Sequence, residues 1–233
     1  MTNRAERRRA VETRIVEIGR QHLADEGAAG LSLRGVTRDL GMVSSAVYRY
    51  VANRDDLLTL LLVDAYTEQA DTVDAAVERV AHRPWDERVV EAGEAFREWA
   101  VREPSRYALL YGSPVPGYEA PAERTVEPGT RVVLTLARLV DEAVRAGDVR
   151  GAGPVPVADA RLVADLERVA TETGLEAGPD VLGRAMTLWA VLVGGTSLEV
   201  FGQYGRDTFD DPGALLEHQL RLVLSLLRSP HPD

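Results

Sequence analysis

Leu31-Ser-Leu-Arg-Gly-Val-Thr-Arg-Asp-Leu-Gly-Met-Val-Ser-Ser-Ala-Val-Tyr-Arg-Tyr-Val-Ala-Asn-Arg-Asp-Asp-Leu57 reads as two short helices around a glycine turn, followed by the start of a third. Ser32 is a natural N-cap, because its hydroxyl can accept from an orphan N–H of the first turn. Leu33, Val36, Thr37 and Leu40 then fall on one helical face. Gly41 follows the last apolar position, where a left-handed cap suits glycine best. The second helix is expected to turn Val43 and Val47 inward and Ser44, Ser45, Tyr48 and Arg49 outward. Asn53 can cap a helix whose first turn holds Asp55 and Asp56, carboxylates suited to a positive helix end. Short helix, tight turn and short helix make a helix-turn-helix, whose second helix fits the major groove of DNA.

Outward from this stretch, helix follows helix. Val11, Ile15, Ile18 and His22 form a stripe that predicts a first helix over about residues 4–26. Helices are expected near 55–80, 84–102, 104–111, 130–146, 158–173, 180–203 and 213–228. Loops are expected at Gly112–Pro121 and Gly151–Pro156, where Gly and Pro cluster. No strand alternation or repeat recurs, so the chain reads as all-α. A DNA-binding domain is expected over 1–56 and a larger helical domain over 57–233. The last two helices are apolar on more than one side. Such helices bury both sides, one in their own core and the other against a partner.

Residues 1–54 hold ten Arg against six acidic residues, a net +4, whereas the remainder carries a net −14. The overall −10 therefore hides a basic end that can attract phosphate. With no cysteine, disulfides and thiolate chemistry are excluded, and His22, His82, His218 and His231 lack metal-ligand spacing. Neither a phosphate loop, a dinucleotide fingerprint nor a nucleophile elbow occurs, so the chain gives no sign of catalysis and calls for no cofactor. The N-terminus is Arg-rich without an apolar leader, and the uncharged run 185–198 spans 14 residues, fewer than the roughly 20 a bilayer needs. A cytoplasmic, nucleoid-associated protein with no membrane partner is expected.

The pattern Gly27, Ser32-Leu33, Val36, Gly41, Val47-Tyr48, Tyr50, Arg54 and Leu57 resembles the DNA-binding domain of tetracycline-repressor-like (TetR/AcrR) regulators. It departs from that family at Thr37, Val43 and Val51, where Ala, Ser or Thr, and Phe are usual. The resemblance implies that Tyr48, Tyr50 and Arg54 hold DNA phosphates. Ser44, Ser45, Ala46 and Arg49 would face base edges, with Arg34 and Thr37 contributing from the preceding helix. The run Arg4, Arg7, Arg8 and Arg9 either reaches flanking DNA or serves as a solubilising tail. The stretch 85–111, with Trp189 and Gly194, is similar to the C-terminal domain of one subgroup of the family.

The resemblance also implies a homodimer built from the last two helices, reading a near-palindromic operator on double-stranded DNA. Leu188, Leu192, Gly195, Leu216, Leu220, Val223 and Leu227 are the expected interface. It implies a small-molecule inducer, for which Trp99, Tyr107, Tyr111 and Trp189 are candidate walls; ordinary core packing is the alternative for each. Tyr111 and the Gly/Pro loop after it are the candidate entrance. The acidic body disfavours an anionic inducer unless Arg97 or Arg106 pairs with it, so a neutral or cationic aromatic compound fits better. The leading function is thus a ligand-responsive transcriptional regulator, a repressor rather than an enzyme. The competing class is an all-α binding protein or enzyme whose first helices are only structural. The outward Ser, Tyr and Arg of residues 44–54 favour the regulator.

Overall fold

The structure, a computed structural model, describes residues 2–149, 151, 155–205 and 207–228, without the side chains of residues 2–5 and Ser44. Part of the expected 151–156 loop and Arg4's side chain thus lie outside the described residues. Among the described residues ten helices form: α1 (Thr2–Gly30), α2 (Leu33–Asp39), α3 (Ser44–Val47), α4 (Arg54–Arg79), α5 (Trp85–Arg102), α6 (Pro104–Tyr111), α7 (Ala122–Ala146), α8 (Ala160–Thr173), α9 (Pro179–Val200) and α10 (Pro212–Leu227). Among the described residues the sole β feature is a single bridge between Val149 and Arg228.

The helices gather into two compact units, residues 1–68 with 103–129, and residues 69–102 with 130–233. This division differs from the expected boundary after residue 56. It cuts α4 between Glu68 and Gln69, and α7 between Gly129 and Thr130. Helix α7 begins at Ala122 rather than near 130, although Pro128 lies inside it. Proline removes one donor, but the Thr125 hydroxyl donates to the Pro121 carbonyl at 2.9 Å and secures the first turn.

In the first unit, Ile15, Ile18, Leu31, Leu33, Val36, Val47, Val51, Leu57, Leu58 and Leu61 form one buried cluster. Leu109 from α6, with Val115 and Tyr118 from the loop after it, packs against this cluster. The Tyr118 and Thr59 hydroxyls lie 2.9 Å apart. The 112–121 loop is therefore anchored to the helix-turn-helix core, which runs counter to reading it as an inducer's entrance. Helix α1 begins two residues before the expected start, so the Arg-rich run is helical rather than a loose tail. Its regular part ends where Gly27 takes φ 67°.

Arg106 is the buried charge of this unit, with a side chain 4% exposed. It pairs with Asp64 at 3.1 Å, Glu68 at 2.8 Å and Glu103 at 3.5 Å. Arg20 of α1 shares two of these partners, binding both Asp64 oxygens at 2.8–2.9 Å and Glu68 at 2.8 Å. Helices α1 and α6 are thus joined through carboxylates of α4.

In the second unit, α5, α9 and α10 pack on one another and α8 packs on α9. Asp141, fully buried, accepts from the Glu176 and Ala177 N–H groups at 2.7 Å each and pairs with Arg145, fixing the entry to α9. A Cβ added at Gly93 would lie 2.4 Å from a Leu220 methyl carbon, so α5 and α10 meet where α5 carries no side chain. Gly93→Val should therefore lower stability by about 1–3 kcal/mol through overpacking, read by thermal denaturation. An unchanged transition would show that α10 can move away freely.

Candidate nucleic-acid interface

The helix-turn-helix is built by the caps its sequence predicts. Ser32 Oγ accepts from the Gly35 N–H at 3.4 Å, and Gly41 takes φ 67° at the turn. Asn53 Oδ1 accepts from the Asp56 N–H at 2.8 Å, while the Asp56 carboxylate accepts from the Ala52 N–H at 3.1 Å. This reciprocal pair is a variant of the capping box and sets the angle at which α4 leaves the recognition segment. The regular part of α3 is only Ser44–Val47, and residues 48–50 continue it as turns, with Tyr50 N–H donating to the Val47 carbonyl at 2.8 Å.

The candidate DNA-binding residues separate by exposure. Arg34, Ser45 and Arg49 are exposed, Tyr48 is 48% exposed, and Ala46 is half-buried. The expected placement of Ser44 lies outside the described side chains. Val43, expected to face inward, is 73% exposed at the end of the turn, while Val47 is fully buried in the core. Thr37, expected to contribute a DNA contact from the preceding helix, is buried. It is 5% exposed and its hydroxyl donates to the Leu33 carbonyl at 2.7 Å, a bond within α2.

Arg54, expected to hold a phosphate, turns most of its donors to the backbone. Its Nε donates to the Leu31 carbonyl at 3.0 Å, and one Nη donates to the Ala28 and Ala29 carbonyls at 2.8 and 3.1 Å. It satisfies carbonyls in the last turn of α1 and at the residue that follows it. Tyr50 is half-buried against the core, with the Arg8 guanidinium 5.8 Å from its ring centre. His22, expected to be a packed side chain, also bonds Asp39 at 2.6 Å, which draws the Asp39 carboxyl below its ordinary value, with Arg38 contributing less. An apolar stripe ending in a histidine could have signalled a polar partner on the neighbouring helix.

The four candidate inducer walls fall into both units. In the first, Tyr107 is fully buried and its ring centre lies 4.8 Å from that of Tyr111, which meets Tyr66 edge-on at 6.3 Å. Burial, then Tyr66 and Tyr107, pushes the Tyr111 phenol far up, so it stays protonated at neutral pH. In the second, Trp99 is fully buried and Trp189 meets Phe96 edge-on at 5.7 Å. Arg97 is committed to Glu199, with Nε donating at 2.6 Å, and Arg106 to the acidic partners described above. Neither offers an idle cation to an anionic inducer.

The residues expected at the dimer interface share one environment. Leu188, Leu192, Gly195, Leu216, Leu220, Val223 and Leu227 are all buried within one protomer. Both helices are apolar on two sides, and spacing alone does not say which side faces inward. The outer side carries Met186 and Leu198 on α9, each 38% exposed, and Leu222 and Leu226 on α10, 59% and 44% exposed. Helix α9, 22 residues long, has the length and composition of a membrane span, but it packs on α5, α8 and α10. Among the described residues, no cluster of three or more His, Asp or Glu side chains could hold a metal ion.

A helix-turn-helix carried by an otherwise all-helical chain defines a DNA-binding transcriptional regulator. Residues 89–223 match the model of the tetracyclin repressor-like C-terminal domain. The HTH-type transcriptional regulator Rv1816 of Mycobacterium tuberculosis (strain ATCC 25618 / H37Rv) is 49% identical over 224 residues, covering 96% of this chain and 95% of the relative. The crystal structure of the regulatory protein SCO4313 superposes with a TM-score of 0.75 at 32% identity, covering 96% of this chain and all of the other. A TetR-family transcriptional regulator from Pectobacterium atrosepticum shares the fold with a TM-score of 0.62 at 20% identity, covering 98% of this chain and all of the other. The chain belongs to the tetracycline-repressor-like (TetR) family. Its work is DNA-binding regulation of transcription rather than catalysis.

Proposed function

We propose that the protein is a homodimeric repressor that leaves a near-palindromic operator when its helical body takes up a small, largely apolar molecule, acting in the cytoplasm on nucleoid DNA. The observation that carries the ligand response is the pair of arginines sharing carboxylates. Tyr107 and Tyr111 lie on the helix that holds Arg106, and Asp64 and Glu68 connect Arg106 to Arg20 of α1. A ligand that displaces α6 has to pull on these shared ion pairs, and through them on the helix that supports the recognition segment. Its effect on DNA affinity is limited to its differential affinity for the two arrangements, typically about 1–3 kcal/mol. A thermal-shift screen of neutral and cationic aromatic compounds, followed by operator release, tests the coupling. A compound that stabilises the protein yet leaves operator affinity unchanged refutes it.

Dimerisation through the outer sides of α9 and α10 is supported by Met186, Leu198, Leu222 and Leu226, which leave an apolar face in water. Gly194 lies on the same side with nothing within 4 Å of an added Cβ, so another helix could approach closely. Ser45, Ala46 and Arg49 are proposed to read bases, and Arg34 and Tyr48 to hold phosphates. Arg49→Ala should cost about 1–3 kcal/mol on the operator and relax specificity. Tyr48→Phe should weaken all sequences about equally. Gel shifts on a selected genomic fragment measure both, and wild-type binding in both variants would remove the assignment of the recognition segment.

A further inference from the structure

Two residues that the family pattern assigns to DNA phosphates are engaged inside this protein. Arg54 gives its donors to three carbonyls of residues 28–31. Tyr50 packs against the helix-turn-helix core, and its ring faces the guanidinium of Arg8. From this geometry we infer that Arg8 is the residue that grips the DNA backbone at the end of the recognition segment, and that Tyr50 positions it there.

Residues 8, 11, 15 and 18 share one face of α1, so Arg8 continues the stripe of buried Ile15 and Ile18 and half-buried Val11 to the point where the core gives way to solvent. The guanidinium is 60% exposed yet held on two sides. Its Nε donates to Glu12 at 2.8 Å, and the Tyr50 ring lies 5.8 Å from its carbon. The 5.8 Å separation is within reach of a cation–π contact. Both terminal nitrogens lack a partner among the described residues. A phosphate can take two parallel bonds from such a fork, and a guanidinium already held in place loses less freedom on binding. Tyr48 and Arg49, two and one residues before Tyr50, are exposed, so Arg8 extends a surface already suited to a polyanion. The assignment rests on reading residues 33–54 as the DNA-binding surface.

The test measures binding of a labelled mixed-sequence duplex by fluorescence anisotropy across a salt series, because phosphate contacts are independent of sequence. Arg8→Gln should weaken binding several-fold and make the slope of log affinity against log salt shallower by about 0.9 per protomer. Tyr50→Phe keeps the ring and should match wild type, whereas Tyr50→Leu should match Arg8→Gln. The double variant Arg8→Gln/Tyr50→Leu should be no weaker than Arg8→Gln alone. An unchanged slope in Arg8→Gln, a surface change that leaves the core intact, overturns the assignment. So does loss of binding in Tyr50→Phe, which would make the phenol hydroxyl the contact. Failure of the wild-type protein to bind the duplex at low salt would overturn the DNA-binding surface itself.

Discussion

Arg106→Met is expected to lower the stability of the protein by about 3 kcal/mol, the low end of the range for removing one partner of a buried ion pair. Methionine keeps the apolar stem and ends where the guanidinium begins, so the loss is chiefly that of the ion pairs. Asp64 and Glu68 keep Arg20 and part of their hydration, with side chains 23% and 34% exposed, which holds the loss to the low end. A chain of this size should lose roughly 6–12 °C in melting temperature. Arg20→Gln, whose side chain is 35% exposed, should cost no more than about 1 kcal/mol. Equal melting points for the two variants would show that the network is not organised around Arg106. The same Arg106→Met protein should also lose its response to any inducer that acts through α6.

Leu220→Asp and Leu222→Asp, two positions apart on α10, should fail in different ways. Leu220 is 1% exposed beneath Gly93, so a carboxylate there has neither partner nor water. Several kcal/mol of stability should go, and the protein should lose its cooperative unfolding transition. Leu222 is 59% exposed, so Leu222→Asp should leave the protomer folded with a normal melting profile. It should instead abolish the dimer and, with it, tight operator binding, because each half-site then has to hold one protomer alone. Sedimentation and circular dichroism separate the outcomes. A dimeric Leu222→Asp would remove the outer side of α10 from the interface.

The helix-turn-helix was legible because its signals are local. Ser32, Gly41 and Asn53 each act within three residues of themselves, and the structure realises all three caps. The fates of Tyr50 and Arg54 were not legible, since each depends on a partner reached only through folding. Arg54 meets carbonyls more than twenty residues away, and Tyr50 meets Arg8 from the far end of α1. The inner and outer sides of α9 and α10 were indistinguishable for a related reason. Leu at 220 and Leu at 222 are the same residue to any hydrophobic pattern, and only the glycine at 93 tells them apart. Helix α7 was begun eight residues late because Pro128 reads as a boundary, while Thr125 supplies a turn without it.

The discontinuity of the first unit bears on how the protein is made. Leu109, Val115 and Tyr118 complete the core of the helix-turn-helix, yet the ribosome adds them some fifty residues after Leu57. Until they emerge, Leu58, Leu61 and their neighbours remain a nascent apolar surface with part of its cover missing. A chain released early, or a graft of residues 1–56 onto another body, carries every DNA-facing side chain of residues 33–54 on an unfinished support. A chain that ends before residue 129 is therefore expected to bind DNA more weakly than the full chain, which a gel shift on the two measures.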